Sequence, residues 1–200
     1  MDDQLNLQAT RWWQESIEVK QRLLAKPEVM AQLSQVATWC TQACLSGRKV
    51  LFMGNGGSAA DAQHLAGELV SRFNYDRPGL ASFALTVDTS VLTAIGNDYG
   101  YERLFARQVQ ACGQEGDVLI GMSTSGRSPN VMRAFEEARA KGLRTVALTG
   151  ETGGDMLPLV DVCIRVPSTS TPRIQECHIT LGHIVCGLVE QLVFPQEAAK

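Results

Sequence analysis

The chain has 200 residues, 44% of them hydrophobic and 20% charged, enough to bury one core in a single domain with a helical extension. Its formal net charge of -3 gives no general attraction to nucleic acid or an acidic membrane, so neither is expected as a partner. No apolar run reaches the ~20 residues a membrane span needs, and the acidic, amphipathic opening MDDQLNLQATRWW does not read as a signal peptide.

Two helices are predicted first. Leu5 to Ala25 carries Leu5, Ala9, Trp12, Trp13 and Ile17 at helical spacing. Pro27 to Ser46 repeats the pattern with Val29, Leu33, Val36, Ala37, Trp39, Cys40 and Cys44, and Gly47 is a stop signal. This reads as a helical hairpin over residues 1–47, ahead of an α/β unit over 48–200. Trp12, Trp13 and Trp39 need cover, either from another subunit or from their own domain, and spacing does not separate the two.

The texture then changes to short apolar runs of strand length: Val50–Met53, Ser82–Thr86, Val118–Met122, Thr145–Thr149 and Val162–Val166. Helical stretches alternate with them: Ala59–Phe73, Thr89–Gly96, Glu102–Ala111, Pro129–Lys141 and Pro172–Leu192. The alternation predicts an α/β fold, a doubly wound five-stranded parallel sheet with helices on both faces and ligands beyond the carboxyl ends of its strands. The six cysteines (Cys40, Cys44, Cys112, Cys163, Cys177 and Cys186) form no C-x-x-C pair and sit mostly in apolar runs. They read as reduced, buried thiols of a cytoplasmic protein, without the spacing of a thiolate zinc site.

Two loops suit an anion. Gly54-Asn55-Gly56-Gly57-Ser58 joins a strand to a helix, where glycines let the backbone approach a phosphate and the helix N-terminus offers free N–H groups. Gly54 to Ala59 also satisfies a dinucleotide fingerprint, but no acidic residue stands at a strand end about 20 positions on. Ser123-Thr124-Ser125-Gly126-Arg127-Ser128 follows another strand and supplies short hydroxyl donors, with Ser128 suited to the N-cap before Pro129.

The reacting groups are few. His64 and Glu68 stand four apart, one turn along one face of the helix launched by the first loop. Such a pair chelates a metal, forms a hydrogen-bonded acid/base pair, or is an ordinary surface ion pair. In the last helix, 3.6-residue spacing pairs Glu176 with His183 better than Gln175. His178 faces elsewhere and reads as structural. Asp61 and Arg72 are weaker candidates.

The segments GNGGSAADAQH, AIGNDYGYE, GDVLIGMSTSGRSPNV and RIQECHITLGHIVCGLVE resemble sugar isomerase (SIS) domains, and within them the bacterial phosphoheptose isomerases. The resemblance covers nearly the whole chain and implies a flavodoxin-like SIS fold and a cytoplasmic homotetramer. It implies a zinc ion on His64, Glu68, Gln175 and His183, with Gln175 rather than Glu176 as the fourth ligand. It implies Glu68 and His183 as base and acid of an aldose–ketose isomerase acting on sedoheptulose 7-phosphate, an intramolecular oxidoreductase feeding activated-heptose synthesis for lipopolysaccharide core or capsule. Asn55, Gly56 and Gly57 would bind sugar hydroxyls or phosphate, Asn97 and Asp98 the sugar chain, and Ser123, Thr124, Ser125 and Ser128 the phosphate. Glu68 and Gln175 would also touch substrate. A similar SIS protein is not an isomerase and promotes assembly of a replication initiator. It lacks the catalytic glutamate and the distal histidine, both present here as Glu68 and His183.

Overall fold

The computed structural model describes residues 2–196. Helices α1 (Asp2–Leu24) and α2 (Pro27–Leu45) come first. Pro27 stands in the first turn of α2, where its missing N–H costs nothing. The two helices differ in burial. In α2 Val29, Leu33, Val36, Ala37 and Cys40 are buried, whereas in α1 only Val19 and Leu23 are.

Strands and helices then alternate: β1 (Val50–Gly54), α3 (Gly57–Val70), β2 (Ser82–Ala84), α4 (Thr89–Tyr99), α5 (Leu104–Cys112), β3 (Val118–Ser123), α6 (Pro129–Ala140), β4 (Arg144–Thr149), β5 (Val162–Arg165) and α7 (Thr171–Val193). Short 3-10 segments at Tyr101–Arg103 and Gly154–Leu159 complete the chain path.

The five strands are all parallel, in the order β2-β1-β3-β4-β5. Alternation along each strand divides the core. Val50 and Phe52 join Ile120, Val146 and Ile164 under α2, α3 and α7, while Leu51 and Met53 join Leu119 and Ala147 under α5 and α6. The expected doubly wound α/β sheet is therefore present. Its winding direction reverses between β1 and β3, so the crevice beyond their carboxyl ends is the predicted ligand position.

Several boundaries differ from the sequence reading. Helix α3 starts at Gly57, inside the glycine loop rather than at Ala59, and ends at Val70 rather than Phe73. Helix α4 runs past Gly96 to Tyr99, so Asn97 and Asp98 lie in its last turn. Cys40, Cys177 and Cys186 are buried, but Cys112 is exposed, contrary to the expectation of uniformly buried thiols. Burial pushes the Cys186 thiol up to about 12, which keeps it protonated and unreactive.

Candidate active site

Strands β1 and β3 end side by side, which makes the two predicted anion loops neighbours. Gly56 takes φ +56° to turn the chain into α3, whose N-terminus no side chain caps. Ser128 occupies the N-cap of α6 with Pro129 next, but its hydroxyl turns to Ser123 Oγ at 2.9 Å instead of capping. Ser125 Oγ lies 3.4 Å from the same Ser123 hydroxyl. Two helix N-termini with positive dipole ends and three clustered serines suit a phosphate.

The loops are clasped together. Asn55 and Asn130 exchange amide hydrogen bonds, each Nδ2 donating to the other's Oδ1 at 2.9 Å. Tyr101 donates its hydroxyl to the same Asn55 Oδ1 at 2.9 Å. Beside the first loop lies a cleft of about 340 Å³, lined by Asn55, Gly56, Ala59, Thr86, Tyr101 and Leu104 among others. That volume is in the range of small-molecule sites.

Two turns into α3 stands a cluster of ionisable groups. His64 Nε2 is 3.1 Å from Glu68 Oε1 and 2.8 Å from His183 Nε2 on α7. The two imidazoles meet edge-on, with centroids 5.0 Å apart. Donor atoms of His64, Glu68 and His183 all lie within 4.8 Å of one another. Two imidazole nitrogens and a carboxylate oxygen are a chemically suitable donor set for zinc or a similar transition metal.

The second turn of α7 decides between two neighbours. The Gln175 amide lies so close over Gly57 that a Cβ there would meet its Nε2 and Oε1 at 2.3 and 2.6 Å. Gln175 therefore faces the first loop. Glu176, which helical spacing favoured as a partner for His183, points to the opposite side. It accepts from Ser16 at 2.6 Å and pairs with Arg173 at 2.7 Å. Contacts with α1 override the local periodicity. His178 is fully buried, with Nε2 3.2 Å from the Thr149 carbonyl, and belongs to the core.

The remaining candidates divide. Burial raises the Asp61 carboxyl pKa, against the opposing influence of the Gln175 amide and the nearby imidazoles of His64 and His183. Arg72 is exposed. Asn97 and Asp98 are not drawn into the cluster: both are exposed, and Asn97 donates to Asp98 at 2.8 Å. Sequence reading missed Asn130 and Tyr101. Asn130 had a signal in its place directly after the capping serine and proline; Tyr101 had none.

Comparison with known proteins gives a consistent answer. The SIS domain family matches residues 11–150. Phosphoheptose isomerase of Aneurinibacillus thermoaerophilus is 60% identical over 181 residues, covering 90% of this chain and 91% of the relative. That of Burkholderia pseudomallei (strain K96243) is 60% identical over 183 residues, covering 92% and 93%. The solved phosphoheptose isomerase from Neisseria gonorrhoeae superimposes with a TM-score of 0.87 at 42% identity, covering 94% of this chain and 99% of that one.

Proposed function

Because the chain belongs to the phosphoheptose isomerases of the SIS domain family, we propose that it interconverts sedoheptulose 7-phosphate and D-glycero-D-manno-heptose 7-phosphate through an enediol. The observation that carries this reading is the meeting, within 4.8 Å, of His64 and Glu68 on the helix that the first anion loop launches with His183 of α7. The relatives give no support to the replication-initiator alternative.

The residues divide the work between the two ends of the substrate. Ser123, Thr124, Ser125 and Ser128, with the uncapped N-terminus of α6, hold the phosphate. Asn55, Gly56, Gly57 and Gln175 contact the sugar, and Asn97 and Asp98 are assigned to its chain. Glu68 takes the proton from C1 of the open-chain ketose and returns it to C2. His183 carries a proton from O1 to O2, which completes the aldose. Glu68 has two carboxylate oxygens, so one can serve a metal while the other moves the proton. We assign His64, Glu68, Gln175 and His183 as the zinc ligands, and a bound zinc supplies Lewis-acid polarisation of the C1 and C2 oxygens.

A homotetramer is supported by the resemblance and by Trp12 and Trp13, 59% and 74% exposed on α1. Six cysteines without disulfides support a reducing, cytoplasmic setting. Supply of activated heptose for lipopolysaccharide core or capsule is supported by the family resemblance.

The test is direct. Purified protein is incubated with sedoheptulose 7-phosphate, with added zinc and with a chelator, and aldose formation is followed. Turnover that falls on chelation and returns with zinc is the expected result. Absence of turnover under every metal condition refutes the isomerase.

A further inference from the structure

Between α3 and β2, residues 71–81 form no regular structure, yet they are anchored by a buried ion pair. Glu190 of α7 is fully buried and the Arg77 side chain is 2% exposed. Arg77 Nε donates to Glu190 Oε1 at 3.1 Å. The carboxylate also accepts the N–H groups of Phe73 at 2.8 Å and Asn74 at 2.7 Å. The guanidinium's other nitrogens take backbone carbonyls: Nη1 those of Leu69, Ser71 and Pro78, and Nη2 that of Glu68 at 2.8 Å. Arg77 thus fills the last turn of α3, where helix carbonyls lack partners of their own. A buried pair is a weak source of net stability, since desolvation offsets its attraction. Its placement is more informative.

Both ends of the pair reach the reacting cluster. Arg77 holds the peptide carbonyl of Glu68 itself. Glu190 follows His183 by seven residues on α7, two turns along the same face. The segment it grips sets the Phe73 ring against the His183 imidazole, with centroids 5.7 Å apart and planes tilted by 33°. We infer that the Arg77–Glu190 pair is a positioning device that fixes the spacing between Glu68 on α3 and His183 on α7. Its kinetic consequence rests on the isomerase reading; its geometric consequence does not.

A matched control is available in the same protein. Asp117 is also a fully buried carboxylate, pairing with Lys49 Nζ at 2.7 Å and accepting the N–H groups of Lys49 at 3.0 Å and Gln114 at 2.8 Å. It precedes β3, at the opposite end of the sheet from the site. Glu190→Gln, Arg77→Lys and Asp117→Asn are compared for Tm, kcat, KM, zinc affinity by chelator competition, and the ring resonances of His183 in the metal-free protein. Glu190→Gln is expected to lower kcat roughly 10- to 100-fold with KM nearly unchanged, as misplacement of reacting groups does. It is expected to weaken zinc binding by roughly 10- to 100-fold, as loss of outer-shell support does, and to shift the His183 resonances. Arg77→Lys, which keeps the charge and loses the fork, falls between Glu190→Gln and wild type. Asp117→Asn lowers Tm and leaves the other readouts in place.

A folded Glu190→Gln with wild-type kcat, zinc affinity and His183 resonances overturns the inference, as does Asp117→Asn producing the same losses. If neither Glu190→Gln nor Arg77→Lys folds, the pair is a folding requirement and the positioning role is rejected. A wild type that does not turn over sedoheptulose 7-phosphate refutes the isomerase reading instead. Zinc affinity and the His183 resonances then still decide the positioning role.

Discussion

At the scale of residues, Glu68 and His178 show how differently an ionisable side chain is used on two helices of one fold. The Glu68 side chain is 22% exposed, with Oε1 3.1 Å from His64 Nε2, which leaves its carboxylate open to a substrate. Glu68→Gln keeps the shape and an acceptor oxygen but cannot take a proton. We expect kcat to fall roughly 10²- to 10⁴-fold with the fold intact; full activity in steady-state assays would remove Glu68 as the base. His178 is sealed in the core, and burial lowers its pKa to about 4 against the opposing hydrogen bond to Thr149. The folded protein refuses a proton there until about pH 4, while the unfolded chain takes one near 6.5. Stability from this site is complete above about pH 6.5 and is lost as pH falls towards 4, by about 3 kcal/mol at most. Thermal unfolding between pH 7 and 5 should show a steeper fall in Tm for wild type than for His178→Gln.

At the scale of elements, α3 and α7 make the site and show where the sequence is readable. Strands buried on both faces of a parallel sheet, as β1 and β3 are, appear as short apolar runs, and such runs mark the other three strands as well, the half-exposed edge strand β2 included. Loops at helix N-termini were readable for the same local reason. What local patterns could not reveal was which neighbours an element meets. Periodicity favoured Glu176 over Gln175 because it knew nothing of Ser16 and Arg173. The Arg77–Glu190 bond links residues 113 apart and leaves no local trace. The sequence pattern ends the helix at Gly96, whereas α4 continues through Asn97 and Asp98 to Tyr99. The junction of α3 and α7 is itself testable at Gly57. A Cβ there would lie 2.3 to 2.7 Å from atoms of the Gln175 amide, while Ala suits the first turn of a helix. Gly57→Ala should leave Tm nearly unchanged and expel Gln175 from the site. If Gln175 holds the metal, zinc affinity measured by chelator competition falls roughly 10- to 100-fold; unchanged affinity would remove Gln175 from the ligand set.

At the scale of the whole molecule, α1 is a long helix that leaves most of its apolar side chains uncovered. Its 23 residues bury only Val19 and Leu23, while Leu5, Leu7, Trp12, Trp13 and Ile17 remain between 45% and 74% exposed. Trp39 on α2 contrasts with them, being partly buried with the Arg144 guanidinium 5.2 Å from its ring centre. Trp12 and Trp13 border a groove of about 480 Å³ shared with Lys20, Arg173 and Glu176. Arg173 and Glu176 flank the turn that carries Gln175, so whatever covers this groove also braces the start of α7. A tryptophan covers about 150–250 Å², worth roughly 4–6 kcal/mol when fully buried at about 25 cal/mol per Å². Replacing both Trp12 and Trp13 by Ala should therefore convert the proposed homotetramer to smaller species in light scattering at micromolar concentration. The same variant should lose activity in proportion to the dissociated fraction and regain part of it as protein concentration rises. A wild type that is monomeric, or a double variant with wild-type mass and activity, would show that the exposed face of α1 serves no assembly.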